Sequence, residues 1–146
     1  MPTQTVETLV EGGRATYNLR GYLQIMSMNG QLEGKLIFEG DQFTGTIFDV
    51  RNLVQKDHRV KGQISRQTGE INLAMLLIKR DYKSGYFIEV KKDDTKGIEG
   101  IYQGEARGVD DLDFDNVLLE NREEIQTHMK GWYSCGITLS SSPNST

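Results

Sequence analysis

Two histidines, one cysteine, six tyrosines and a run of alternating aspartates are the residues of this 146-residue chain that could support chemistry. His58 and His128 lie far apart, and neither stands at ligand-type spacing from Cys135, so no metal site is encoded and no cofactor is expected. Cys135 has the parity of Tyr133 and Ile137 in an alternating run, and a thiol in apolar surroundings with no neighbouring base is inert. Asp49 and Arg51 follow Ile47 on one parity and would sit at the rim of a strand end, ordinarily a solvated position. Asp111, Asp113 and Asp115 imitate the start of a calcium loop. The imitation then fails, with Asn116 where the loop needs glycine and Arg122 where it needs glutamate. No Asp, Glu, Lys or His falls among the positions expected to point inward, so no catalytic acid–base pair is predicted. What remains is a set of tyrosine hydroxyls, from Tyr17, Tyr86, Tyr102 and Tyr133, able to orient a small molecule.

The elements that must position these groups carry a recurring pattern, apolar-x-Gly-x-apolar. It occurs in six segments, centred on Gly21, Gly34, Gly45, Gly62, Gly100 and Gly131. Residues two apart in a strand share a face, so each glycine and its apolar flanks point one way and the mostly polar x positions the other. A glycine inside a strand marks a bend, a bulge or a close approach. Such a row lets strands coil tightly, and it also subtracts side chains from whatever interior the strands enclose.

Read in order, 1–13 is a polar lead-in, and alternation predicts strands at 14–25 and 31–39, with Met28-Asn29-Gly30 as the hairpin turn. Gly40-Asp41 turns the chain into a third strand, where Phe48 and Val50 break parity and suggest a bulge or a second buried face. Residues 52–57 form a loop. Further strands follow at 58–66, 70–79, 86–91 and 98–106, and the second half of 70–79 is apolar on both parities. The acidic stretch 108–127 is a loop with one short helix, capped by Asp115 or Asn116. Residues 126–140 form the last strand, with Met129, Gly131, Tyr133, Cys135 and Ile137 inward, and 141–146 is a tail.

The prediction is therefore an all-β domain spanning 14–140, an antiparallel meander of about eight strands closing into a barrel. The alternative is a two-sheet β-sandwich. The repeated Leu-x-Gly-x hairpins resemble the general style of the calycin-type meander barrels of the avidin, lipocalin and fatty-acid-binding group over Ala15 to Leu139. The Gly-x-Trp of lipocalins and the tryptophan set of avidins are absent, with Trp132 alone in the last strand, so neither group's ligands carry over.

A net charge of −4 and a pI near 5.2 argue against nucleic acid as a partner. No apolar run reaches the roughly 20 residues of a membrane-spanning helix. One cysteine and an N-terminus without a signal-like segment point to the cytoplasm. The expected function is non-enzymatic binding of an apolar small molecule between the glycine-bearing strands, with Tyr17, Tyr86, Tyr102 and Tyr133 and the six glycines as ligand-binding residues. One alternative is a filled barrel forming homo-oligomers or protein contacts through Tyr22, Phe48, Phe87 or Trp132. The other is a small barrel enzyme of cyclase or isomerase type with polar groups at one mouth.

Overall fold

Alternation becomes curvature in this chain because side chains are missing where neighbouring backbones come together. The structure, a computed structural model, describes residues 14–25, 28–49, 58–78 and 83–141. The expected lead-in, the loop 52–57, Val50 and nearly all of the tail lie outside them. Eight strands follow in order: β1 (Arg14–Ile25), β2 (Met28–Glu39), β3 (Gln42–Asp49), β4 (His58–Gln67), β5 (Glu70–Ile78), β6 (Ser84–Lys92), β7 (Gly100–Asp110) and β8 (Met129–Ser141). One short helix, α1 (Arg122–Gln126), precedes the last strand. Each strand pairs antiparallel with the next, and β8 pairs with β1, giving a closed eight-stranded meander barrel and not a sandwich.

A methyl group at Gly21 would strike the carbonyl oxygen of Gly136, one at Gly34 that of Thr46, and one at Gly45 that of Lys35. The inner Cβ position of each glycine is thus taken by the next strand, the close approach that tight coiling of a small barrel demands. At Gly62 the ring of Phe43 occupies the corresponding place. Phe43 stacks on Phe38 at 4.6 Å, and Tyr17 meets Phe38 edge-on at 5.3 Å. The glycine row faces inward, as its parity requires, but it leaves no gap at these positions.

Several boundaries differ from expectation. Ile25 pairs with Met28 and Gln24 with Asn29, so Met28-Asn29-Gly30 belongs to β2 instead of forming the turn; residues 26–27 lie outside the described ones. The β2–β3 register runs unbroken to Asp49, so Phe48 reflects a half-buried outer face and not a bulge. β6 starts two residues before Tyr86, and β7 runs on to Asp110. The helix cap is Asn121, not Asp115 or Asn116: its side-chain oxygen accepts from the Glu124 amide and its side-chain nitrogen donates to the Glu124 carboxylate. Asn116 instead bonds Asp113 in a turn.

The acidic stretch is a strap over the outer face of the sheet. Alternation sends Leu112 and Phe114 inward and the aspartates outward, and Val117 and Ile125 join them over Leu76, Ile78 and Phe87 in a second core. Both faces of β5 are accordingly covered, as its double apolar parity implied, and Phe87 is buried at 2% exposure instead of presenting a surface. Arg59 pairs with Asp115 at 3.0 Å, Arg122 clamps Glu89 through two hydrogen bonds of 2.7 and 3.0 Å, and Lys61 donates to the Val117 carbonyl at 2.8 Å. Burial under the strap lowers the Lys61 ammonium from its usual value, with Asp115 and Asp113 opposing. His128 is structural, its ring nitrogen 3.0 Å from the Asp110 carbonyl where the strap rejoins the barrel.

Two stability predictions follow from these contacts. Gly45→Ala forces a methyl into the Lys35 carbonyl and should lower unfolding free energy by about 1–3 kcal/mol, whereas Gln42→Ala on the same strand should leave the urea midpoint unchanged. Phe114→Ala should cost about 3–5 kcal/mol, read by the same measurement.

Candidate functional site

An inward side chain in a closed barrel meets solvent only through an open end, so the exposure of inner-face residues locates the openings. At one end, where β2 turns into β3 and β6 runs toward β7, the interior is plugged. Lys92 continues the inward row of Tyr86, Ile88 and Val90 and is 6% exposed. Its ammonium donates to the carbonyls of Gly97 and Glu99 and pairs with Asp94 at 2.9 Å. Ile98, 1% exposed, folds into the core, and the Tyr102 hydroxyl donates to its carbonyl at 2.5 Å. Lys92 corrects the expectation that no charged residue points inward; its parity with Val90 was the available signal. The sharp turn between β6 and β7 hid it, because residues 92–97 read as loop.

At the opposite end, where β4, β6 and β8 begin, the inward residues Tyr86, Tyr133 and His58 are only half-buried. Tyr86 and Tyr133 face each other there with ring centroids 6.2 Å apart and planes at 76°. His58 opens β4 on the same inward parity, half-buried, with Nδ1 shielded from solvent. The rim above them is set by a bulge. Ala106 pairs with Tyr133 and Gly108 with Lys130, so Gly131 and Trp132 together oppose Arg107 alone. Gly131 has φ +71°, the left-handed backbone that a bulge glycine supplies.

This bulge inverts the parity of what precedes it. Met129, expected inward, instead packs on the outer core beneath the strap, paired with Val109. Lys130 takes the inward row beside Gly108, and its ammonium meets Asp110 at 2.8 Å. Sequence reasoning missed this ion pair because a register shift leaves no mark on the alternation either side of it; the Gly131-Trp132 pair was the one available hint. Asp110 and Asp111 hold the Lys130 ammonium above its usual value, the Asp110 hydrogen bond being the larger cause.

The predicted ligand-binding residues therefore separate. Tyr86 and Tyr133 come together at the half-open end. Tyr17 is buried among Phe38 and its neighbours, and Tyr102 is bonded into the plug. Gly21, Gly34, Gly45 and Gly62 lie in the barrel wall. Gly100, with φ +141°, sits against the Lys92 side chain, and Gly131 is the bulge residue. The Asp49 side chain and the whole of Arg51 lie outside the described residues. Cys135 is buried one inward step from Tyr133, and burial pushes its thiol from 9.0 up to about 12. Among the described residues no cluster of three or more His, Cys, Asp or Glu side chains is placed to hold a metal ion, and no helix is long and apolar enough to cross a membrane. Compared with family models, curated proteins and solved structures, the chain matches none.

Because the fold raises the Cys135 value, the neutral thiol is the form the native state favours. Its contribution to stability is complete below pH 9 and is lost as the pH climbs from 9.0 toward about 12. At pH 8 the native protein should be unreactive toward a disulfide dye such as dithionitrobenzoate, reacting with one equivalent only when unfolded in guanidinium; reaction of the folded protein within minutes would contradict this burial.

Proposed function

We propose that this barrel binds an apolar small molecule bearing a polar head, seated at the end where Tyr86 and Tyr133 face one another. The observation that carries the reading is their partial exposure on the inward row of a closed barrel, at the end where β4, β6 and β8 begin. The tyrosine hydroxyls and the Lys130–Asp110 pair offer donors and acceptors to the head, and the apolar inner face below offers the tail a dry wall. Binding without chemistry is favoured because the groups closest to reactivity are quenched. The Lys130 ammonium is held toward its protonated form by Asp110, and the Cys135 thiol is held neutral by burial, so neither of these two groups is poised as a base or a nucleophile.

The likeness to the avidin, lipocalin and fatty-acid-binding barrels supports the reading at the level of strand order and closure only. A cytoplasmic site of action is part of the proposal, resting on the lone, buried cysteine. The reading as an oligomerisation or contact module is left with Trp132, 58% exposed on the bulge, and Tyr22, 39% exposed, which lies over Gly136.

Native mass spectrometry and titration with an anilinonaphthalene dye test the proposal together. One saturable dye site per chain is expected. Tyr86→Phe combined with Tyr133→Phe should weaken it about tenfold, the loss of two neutral hydrogen bonds of about 0.5–1.5 kcal/mol each. A wild-type protein that takes up neither dye nor any co-purifying molecule would refute it, as would a double variant that binds like the wild type.

A further inference from the structure

The outer face of β8, β1, β2 and β3 forms an open groove of about 940 Å³, at the upper end of the roughly 300–1,000 Å³ typical of ligand sites. It lies on the side of the sheet opposite the core and is independent of the barrel mouth. Gly34 and Gly45, whose inner Cβ positions are closed by neighbouring backbone, are part of its floor. The pairing registers arrange its side chains in rows across the strands. Thr138, Arg20, Glu33 and Phe48 form one row, and Ser140, Asn18, Lys35 and Thr46 the next.

Arg20 and Glu33 are directly opposed on adjacent strands. Elsewhere such neighbours pair, as Arg14 does with Glu39 at 3.2 Å on the same two strands. Among the described residues, Arg20, Glu33 and Lys35 form no ion pair. Their hydrogen-bonding capacity points into the groove alongside an amide and three hydroxyls. Arginine and lysine only donate and an ionised glutamate only accepts. A ligand that answers all of them needs groups that do both. An anion would meet Glu33, and a cation would meet Arg20 and Lys35. A hydroxyl-rich neutral molecule meets neither penalty. Phe48 at the end of the first row supplies an apolar face of the kind on which the C–H face of a sugar ring rests. Strands about 4.8 Å apart repeat these groups on a scale commensurate with successive rings of a saccharide.

We infer that this groove is a second binding site, for a neutral oligosaccharide chain lying across β8, β1, β2 and β3. The test is amide chemical-shift mapping of the full-length protein with cellohexaose, maltohexaose and chitohexaose, and with inorganic phosphate as the charged comparison. At least one hexasaccharide should give saturable shifts confined to residues 18–20, 33–35, 46–48 and 138–140, with a dissociation constant of about 1 mM or tighter. Glu33→Gln and Arg20→Gln, both in exposed or half-exposed positions that the fold tolerates, should each weaken binding at least fivefold while leaving the remaining amide spectrum unchanged. Silence with all three saccharides overturns the inference. So do shifts centred on Tyr86 and Tyr133, equal shifts with phosphate, or undiminished binding by both variants. Dye binding at the mouth has a separate readout, so either site can fail without the other.

Discussion

Closing eight strands into a narrow cylinder requires neighbouring backbones to enter the space that inward Cβ atoms would fill. Everything else in this molecule is arranged around that constraint. Gly21, Gly34 and Gly45 sit where carbonyl oxygens of Gly136, Thr46 and Lys35 press into the inner face, and larger residues there would hold the strands apart. The consequence for function is a redistribution of space. A row of absent side chains suggests a hollow, yet adjacent backbone and the Phe43 ring take up the volume. Among the described residues the inward side chains that keep partial exposure lie at the Tyr86–Tyr133 end, and a further concavity lies on the outer face.

The two ends of the cylinder are chemically unlike. Lys92 seals one by donating to loop carbonyls while Tyr102 ties Ile98 over the core, so a buried charge is satisfied. The other keeps aromatic hydroxyls and an ion pair near solvent. A wall of Leu, Ile, Val and Met lies between a sealed base and a polar opposite end. The strap contributes by burying the outer surfaces of β5 and β6, with Asp115 as the partner of Arg59.

The bulge at Gly131 shows how a local irregularity decides a site. Without it, Met129 would face the mouth and Lys130 would face away. With it, an ion pair replaces a thioether at the rim and Trp132 is left on the outside. The strap shows the converse. Its alternating Leu112 and Phe114 were legible as one apolar side, but which surface they would cover depended on β5 presenting Leu76 and Ile78 outward.

The linear order of residues by itself determined the strand-rich class, the meander, the parity of nearly every strand and the inward row of glycines, because period-two alternation and turn chemistry are local properties of the chain. Tyr86 and Tyr133 were also visible from parity alone. Only the tertiary structure decided that the meander closes, that Lys92 plugs one end, that Phe87 is covered and that Lys130 reaches the mouth. Each of these depends on which strand lies beside which and in what register, and register is set by contacts between residues distant in the chain, where a shift of one position exchanges the two faces of a strand.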